Sequence, residues 1–351
     1  MQYSQLGNTG VFVSRICLGA MTFGGKGGIF EAIGGLQQHD VDTLVGNSLD
    51  AGVNFIDTAN VYAAGESETL TGKALGNKRK DVVLATKVFG RMGPGANQVG
   101  SSRLHIMQEV EASLQRLGTD YIDLYQLHQF DKLTPLEETL GALTDLVRQG
   151  KVRYIGCSNF AAWQIMKANG ASAAEHLEKF VTLQAYYSIA GRELEREIIP
   201  ALLDQKMGLL VWSPLAGGFL TGKYKRTGKA GNETARREKF VFPPVNLERG
   251  YDIVDAMDRI GKKRGASVAQ TALAWLLHKP GVTSVIIGAR NAQQLKDNLG
   301  SSDIQLEETD MKQLDEISAL TPEYPGWMIG GDDRRPGQVR DWSKLMAPPK
   351  K

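Results

Sequence analysis

The sequence predicts an α/β protein that closes into a (β/α)8 barrel, the TIM-barrel architecture. Eight short apolar runs follow one another from Ile16 onward, most of them separated by a segment with the periodicity of an amphipathic helix. Each run is apolar along its whole length instead of alternating. That pattern is typical of parallel strands that helices cover on both faces. Eight such strands match the number needed to close a barrel.

A doubly wound open sheet is the alternative architecture for this alternation. It is disfavoured because the turn after the first apolar run, although rich in glycine between Gly24 and Gly35, lacks the G-x-G-x-x-G spacing of a dinucleotide-binding turn. We interpret those glycines as a flexible connection. The strand count also agrees with a closed barrel rather than an open sheet.

The elements are predicted in a regular order. A hairpin covers residues 1–14, with its turn at residues 7–10. Strands are predicted at residues 16–21, 52–59, 81–89, 121–128, 152–159, 181–188, 209–214 and 282–288. Helices are predicted near residues 41–49, 66–76, 102–118, 134–150, from 161, and at 193–204, 251–264, 267–278, 291–299 and 309–320. Helix 134–150 is expected to start with Thr134 as cap and Pro135 as first residue.

Length and composition bound the organisation of the chain. Its 351 residues are enough for one large barrel or two ordinary domains, and no linker divides them. We predict a single barrel domain over residues 1–351, with residues 321–351 as a tail at the C-terminal face of the barrel. A net charge of +2 gives no overall field that would attract nucleic acid or a membrane surface.

Several features predict a cytoplasmic protein without a metal or a disulfide framework. The two cysteines, Cys17 and Cys157, lie in separate apolar runs, which fits a reducing compartment. The N-terminus lacks the charged and apolar regions of a secretory signal, and no apolar run approaches the ~20 residues that span a bilayer. The five histidines have no metal-ligand spacing.

Four polar residues stand at or just beyond the C-terminal ends of three consecutive predicted strands: Asp57, Tyr62, Lys87 and His128. In a closed barrel these ends are neighbours and form the usual site of catalysis. A lysine at the end of an apolar strand needs a partner if it is buried, and Asp57 can supply one. A cation beside a phenol favours the phenolate, so we expect Lys87 to lower the pKa of Tyr62.

Simpler roles for Asp57 and Tyr62 remain open at this point: the carboxylate can cap the next segment, and the phenol can be a rim aromatic. Further stretches favour the catalytic interpretation. They are GCSNF at 156–160, LQAY at 183–186, WSPLAGG at 212–218 and IGARNAQQLKDNL at 287–299. With the four polar residues in this order, the chain resembles the aldo-keto reductase family over roughly residues 1–320.

The resemblance implies an enzyme that uses NADP(H) to reduce small aldehydes or ketones to alcohols. It implies that Tyr62 donates a proton to the carbonyl oxygen, that Lys87 and Asp57 tune the phenol, and that His128 orients the carbonyl. It also implies a cofactor site made of Met21, Asp57, Ser158, Asn159, Gln184, Trp212, Ser213, Pro214, Leu215, Gly217, Lys223, Gly288, Arg290, Gln294 and Asn298. Many relatives carry a lysine at the position of Gly288, so the 2′-phosphate would depend mainly on Arg290.

Two other functions stay open. The chain also resembles potassium-channel β-subunits, so a non-catalytic, NADPH-sensing regulatory subunit is the alternative. A Schiff-base aldolase using Lys87 is disfavoured, because a lysine paired with Asp57 stays protonated and is a poor nucleophile. The stretch from Gly217 to Lys223 mimics a phosphate-binding loop, but Tyr224 replaces its Ser or Thr.

The loops of the predicted barrel are expected to set substrate specificity, at residues 24–35, 89–100 and 223–250 and in the tail. The basic loop 223–250 is interpreted as a lid over the cofactor or as a solvated loop, and it carries Lys225, Arg226, Lys229, Arg236, Arg237 and Lys239. The tail carries Trp327, Arg334, Arg335 and Trp342 and is expected to face substrate or to be anchored by its tryptophans. The physiological substrate and a homo-oligomeric state stay open.

Overall fold

The computed structural model describes residues 1–25, 28, 30–224, 226, 237 and 240–329. The chain divides into two compact units, Met1–Ala319 and Leu320–Lys351. The first contains the whole barrel. The described part of the second contains one short helix, Gly326–Ile329, in which the ring of Trp327 contacts the ring of Tyr324. The prediction of one domain over the full length stays a prediction.

Eight parallel strands form a closed barrel, as the sequence predicts. The strands are β3 (Ile16–Gly19), β4 (Phe55–Asp57), β5 (Val83–Val88), β6 (Ile122–Leu127), β7 (Val152–Ser158), β8 (Thr182–Tyr186), β9 (Gly208–Trp212) and β10 (Val282–Ile287). Each strand pairs with its sequence neighbours, and β10 closes the barrel by pairing with β3. The side chains of nearly all these residues are buried, which explains the unbroken apolar runs.

The predicted N-terminal hairpin is present as β1 (Tyr3–Gln5) and β2 (Phe12–Ser14), paired antiparallel. Its residues Leu6 and Val13 pack against Cys17, Phe55 and Leu124 inside the barrel. Phe55 is the first residue of β4, so the hairpin fills the end of the barrel where the strands begin. The opposite end is left for polar residues.

Helices connect the strands and cover the outside of the barrel. They are α1 (Phe30–Ile33), α2 (Gln38–Asp50), α3 (Glu66–Leu75), α4 (Arg103–Leu117), α5 (Leu136–Arg148), α6 (Ala162–Ala174), α7 (Ile198–Asp204), α8 (Leu247–Arg264), α9 (Val268–His278), α10 (Ala292–Gly300) and α11 (Glu308–Ile317). Ser267 caps helix α9, because its hydroxyl accepts from the backbone N–H of Gln270. Helix α8 begins earlier than predicted because Asn246 caps it.

Two further helices differ from the prediction at their starts. Helix α5 begins at Leu136 with Pro135 as its cap residue, because the Thr134 hydroxyl donates to the Asp131 carboxylate instead of capping the helix. The predicted helix 193–204 is divided into a single 3-10 turn, Glu193–Glu195, and helix α7. Pro200 lacks a backbone N–H and lies in the first turn of α7, the position where a helix tolerates proline.

A buried carboxylate ties the helical layer to β5. Glu68 of α3 is fully buried and accepts from the Thr86 hydroxyl at 2.5 Å and from Arg116 Nε of α4 at 2.6 Å. Because side chains alternate along a strand, Thr86 faces this helical layer while its neighbour Lys87 faces the barrel interior. The hydrogen bond from Thr86 to this ion-paired carboxylate therefore attaches the strand that carries Lys87 to the helical layer.

Helices α3 and α4 approach closely at Gly72. A methyl group at this position would lie 2.2 Å from the carbonyl oxygen of Leu117, which is a backbone atom. We expect Gly72→Ala to lower the free energy of unfolding by about 1–3 kcal/mol through overpacking. Gly46→Ala in α2 is the control, since nothing lies within 4 Å of its added methyl. It should raise stability by about 0.5–1 kcal/mol. Urea unfolding measures both variants, and an equal change in their free energies of unfolding would refute the close approach of the helices at Gly72.

Candidate active site

The centre of the site is a buried ion pair between Asp57 and Lys87. Lys87 Nζ lies 2.6 Å from Asp57 Oδ2, and the two side chains are 0% and 3% exposed. Nζ also donates to the carbonyl oxygen of Thr58 at 2.7 Å and to Tyr62 Oη at 3.3 Å. Three acceptors thus surround the ammonium group and satisfy all its N–H bonds without water.

Barrel geometry brings these residues together from separate strands. Asp57 is the last residue of β4 and pairs with Ala85 of β5, two residues before Lys87. Side chains two residues apart on a strand point to the same face, so both project into the barrel interior. Tyr62 begins a 3-10 turn after β4, in which Ala63 and Ala64 have positive φ angles of 48° and 54°. This turn brings the phenol back over the strand ends.

The charges of the pair support each other. Burial alone would lower the pKa of Lys87, but the charge of Asp57 and the hydrogen bonds to Asp57 and Tyr62 together raise this pKa above its ordinary value. Lys87 is therefore an ammonium at neutral pH.

The expected lowering of the Tyr62 pKa is corrected by the structure. Burial raises the pKa of Tyr62 more than the charge and hydrogen bond of Lys87 lower it, and Asp57 adds to the increase. The contribution of the lysine has the expected sign, but the net shift is upward because the phenol is almost completely buried. Tyr62 is consequently a neutral phenol at neutral pH and holds a proton that it can donate.

His128 follows β6 and faces the phenol. Its ring centroid lies 5.7 Å from that of Tyr62 with an edge-on angle of 74°. Burial lowers the pKa of His128 to about 3, and the positive charge of Lys87 acts in the same direction. The imidazole is thus neutral at physiological pH and carries one N–H donor. A neutral donor beside a neutral phenol is suited to binding an uncharged polar oxygen.

Two glutamines complete the surroundings of Asp57. Its second oxygen, Oδ1, accepts from Gln184 Nε2 at 2.8 Å and from Gln126 Nε2 at 3.0 Å. The sequence prediction includes Gln184 but misses Gln126. The signal was present, because Gln126 is a buried amide in an apolar run, two residues before His128.

The model of the Aldo/keto reductase family matches residues 15–319, which include the whole barrel and all four predicted catalytic residues. The chain belongs to the aldo/keto reductase family. Family membership supports an oxidoreductase function with a nicotinamide cofactor and a small-molecule substrate.

Individual relatives match this chain over nearly its full length. An uncharacterized oxidoreductase, YrpG of Bacillus subtilis, is 38% identical and covers 93% of this chain and 100% of its own. Versiconal hemiacetal acetate reductase of Aspergillus parasiticus is 33% identical, with coverage of 93% and 99%. An Arabidopsis thaliana protein named “Probable voltage-gated potassium channel subunit beta” is 36% identical, with coverage of 92% and 94%.

Three of the residues predicted to surround the nicotinamide are hydrogen-bonded to one another next to His128. Ser158 ends β7, and Asn159 Nδ2 donates to Ser158 Oγ and to the carbonyl oxygen of His128, both at 3.1 Å. Trp212 ends β9, and its indole N–H donates to Asn159 Oδ1 at 3.1 Å. The structure therefore joins these residues to His128 through one hydrogen-bonded series. Met21 is partly buried, two residues beyond the end of β3.

The predicted phosphate-binding residues form a turn and a cationic pair. Ser213 has a φ of 51°, and its hydroxyl accepts from the backbone N–H of Gly217. Pro214 and Leu215 lie within this turn. Burial lowers the pKa of Lys223, and repulsion from the charge of Arg290 lowers it further. Two cations close enough for their charges to repel favour the binding of an anion nearby.

The residues predicted to hold the adenosine end are also assembled. Asn298 Nδ2 donates to the carbonyl oxygen of Gly288 at 3.2 Å, and Gln294 Oε1 accepts from the backbone N–H of Arg290 at 2.9 Å. These bonds join the end of β10 to helix α10. The Arg290 guanidinium touches the carbonyl oxygen of Ile33 at 3.4 Å, and no carboxylate pairs with it in the described ranges.

Aromatic rings that were not predicted individually line the site. Phe30 of α1 lies 5.7 Å from Tyr62, and Phe242 stacks on Trp212 at 5.7 Å with an interplanar angle of 10°. The sequence prediction names their loops but not the rings, because a loop's path is not encoded in a simple periodicity. Both rings add apolar surface next to the polar centre.

Only some residues of the loop 223–250, which is interpreted as a lid or a solvated loop, are described by the structure. Arg226 pairs with Asp252 and Asp255, and buried Arg237 donates to the carbonyl oxygens of Ala216 and Pro243. Lys225, Lys229, Arg236 and Lys239 lie outside the described residues, as do Arg334, Arg335 and Trp342 of the tail. Within the described ranges, no helix combines the length and apolarity that crossing a bilayer requires.

The low pKa of His128 has a measurable effect on stability. An unfolded chain binds a proton at this residue below about pH 6.5, whereas the folded chain does so only near pH 3. The free energy of unfolding should therefore fall as the pH drops from 6.5 toward 3. Relative to His128→Gln, the wild type should lose up to about 2 kcal/mol more between pH 7 and pH 5. Urea unfolding tests this, and parallel pH profiles would contradict it.

Proposed function

We propose that the protein reduces aldehydes or ketones to alcohols with NADPH, with Tyr62 as the proton donor. The observation that carries the proposal is the contact of one buried ammonium, Lys87, with both Asp57 and the Tyr62 phenol. A proton donor beside a fixed positive charge can protonate a carbonyl oxygen and then remain as a stabilised phenolate.

The protein's residues have separate tasks in this reaction. When bound, the nicotinamide cofactor supplies the hydride. The neutral imidazole of His128 donates a hydrogen bond to the carbonyl oxygen and orients it toward Tyr62. The phenol gives its proton to that oxygen, and Lys87 stabilises the negative charge left on the phenol. Asp57 keeps Lys87 charged and in place throughout.

The residues present fit a phosphorylated nicotinamide cofactor. Gln184 Oε1 has no hydrogen-bond partner among the described residues and is available to accept from a carboxamide N–H. The charge of Arg290 acts on Lys223, and neither residue has an acidic partner in the same ranges, which suits the phosphates. Arginine binds phosphate through several N–H donors, so we assign the preference for NADPH over NADH to Arg290.

A cofactor-sensing regulatory subunit is the second candidate. The observation that favours it is the 36% identity to the Arabidopsis thaliana protein named as a potassium channel subunit. Both functions require the same cofactor site, so cofactor binding does not distinguish them. Turnover of a carbonyl compound does.

The role of Tyr62 is tested by Tyr62→Phe. This variant should bind NADPH like the wild type but lose at least about 99% of its aldehyde reduction, because the proton donor is absent. Tyr125→Phe is a matched control, since the Tyr125 hydroxyl is buried without a hydrogen-bond partner in the described structure. NADPH absorbance with an aromatic aldehyde measures the rates. Full activity in Tyr62→Phe would remove the proposed donor.

The role of Arg290 is tested by Arg290→Ala. The variant should bind NADPH about 10- to 100-fold more weakly while NADH binding changes less than about 3-fold, because only NADPH carries the 2′-phosphate. Arg226→Ala is the control, since Arg226 is paired with Asp252 and Asp255. Fluorescence titration measures the dissociation constants. Equal weakening for both cofactors would place recognition of the 2′-phosphate elsewhere.

A further inference from the structure

Gln126 occupies a central position between the catalytic pair and the cofactor-binding amide. It lies on β6, pairs in register with Lys87 of β5, and is fully buried. Its Nε2 donates to Asp57 Oδ1 at 3.0 Å, and its Oε1 accepts from Gln184 Nε2 at 3.4 Å. Both ends of the Gln126 amide are therefore engaged, which fixes its orientation.

The barrel makes room for this side chain at a specific place. A methyl group at Gly156 of β7 would lie 3.3 Å from Gln126 Cγ and 2.6 Å from Thr182 Oγ1. Glycine therefore leaves space that a larger residue would take from the amide. Thr182 Oγ1 is buried and has no hydrogen-bond partner in the described structure, although it belongs to the same crowded layer. The polar contacts of Gln126 are thus not a general property of this layer.

The first consequence concerns Asp57. Lys87 contacts only Oδ2, so Oδ1 needs donors of its own inside the barrel. Gln126 and Gln184 supply them. With Oδ1 satisfied, the carboxylate cannot rotate to offer both oxygens to the ammonium. Lys87 then keeps one N–H for the Tyr62 hydroxyl.

The second consequence concerns Gln184. Its Nε2 has two hydrogens, of which one goes to Asp57 and the other to Gln126 Oε1. The acceptor of Gln126 therefore selects the rotamer in which Gln184 Oε1 is turned away from both partners. An amide with its nitrogen committed in this way offers only an acceptor to a ligand.

We propose that Gln126 is a positioning residue that sets both the Asp57 carboxylate and the Gln184 amide. The inference rests on the proposed function, because it gives the Gln184 acceptor to the nicotinamide carboxamide. Through Asp57, Gln126 acts on the proton donor; through Gln184, it acts on recognition of the cofactor. It contacts neither ligand itself.

The first test compares Gln126→Met with Thr182→Val. Methionine fills the same volume without hydrogen bonds, so kcat for aldehyde reduction should fall about 10- to 100-fold while KM for the aldehyde changes less than about 3-fold. Thr182→Val should leave both constants unchanged, because it removes a hydroxyl that bonds nothing in the described structure. Thermal unfolding reports whether both variants are folded. Wild-type kcat in a folded Gln126→Met would overturn the inference.

The second test uses Gln126→Glu and pH. The introduced carboxyl would lie about 3 Å from Asp57, so the two cannot easily ionise together and the pKa of one rises. Once the introduced carboxyl is protonated, it donates to Asp57 and accepts from Gln184, as the native amide does. The activity of Gln126→Glu, relative to that of the wild type at the same pH, should recover as the pH falls from 9 to 6. The Gln126→Met deficit should stay constant over this range, and a constant deficit in both variants would contradict the positioning role.

The third test measures binding without turnover. In the 3-acetylpyridine analogue of NADP⁺, an acetyl group replaces the carboxamide, so it has no N–H for Gln184 Oε1. The wild type should bind NADP⁺ more tightly than the analogue. Gln126→Met should reduce the ratio of the two dissociation constants at least about 3-fold. An unchanged difference would remove the link between Gln126 and Gln184.

The outcomes separate this inference from the proposed function. If the wild type reduces aldehydes but Gln126→Met keeps the wild-type kcat and the wild-type preference for NADP⁺ over the analogue, the positioning role is wrong and the reductase stands. If the wild type binds NADP⁺ but reduces no carbonyl compound, the reductase proposal fails. The analogue comparison then still decides whether Gln126 orients Gln184.

Discussion

The buried ammonium of Lys87 is the constraint on which the site depends. A charge without water inside a barrel requires compensation, and Asp57 with its two glutamine donors provides it. The same ammonium contacts the Tyr62 hydroxyl. The groups that compensate the buried charge of Lys87 therefore also affect the proposed proton donation by Tyr62. Removing one member leaves a buried charge or a buried donor unsatisfied, and for that reason the group behaves as one unit.

The fold provides the two boundaries that this unit needs. At one end, the hairpin and the apolar layer around Phe55 close the barrel and exclude water. At the other end, the polar side chains of successive strands converge, and His128, Asn159 and Trp212 keep part of their surface exposed. On the outer face of the barrel, Glu68 accepts a hydrogen bond from Thr86 of β5 and pairs with Arg116 of α4. The proposed chemistry therefore depends on one strand that has contacts on both faces.

Much of this was predictable from the sequence because it follows simple periodic rules. Eight unbroken apolar runs give the barrel, and strand ends place Asp57, Lys87 and His128 in one region. The direction of the Tyr62 pKa shift was not predictable, because it depends on burial competing with the charge of Lys87. The role of Gln126 required three-dimensional contacts, since its partners are 58 and 69 residues away in the chain. Phe30 and Phe242 lie on loops whose paths no periodicity encodes.

The most direct test of the central claim follows the hydrogen itself. The wild type is incubated with an aromatic aldehyde and NADPH that carries deuterium at both positions of nicotinamide C4, and the alcohol is analysed by mass spectrometry. The product should carry one deuterium on its carbinol carbon, because hydride passes directly between the two bound molecules. Tight binding of NADPH with no deuterium transferred to any of several aldehydes and ketones would contradict it.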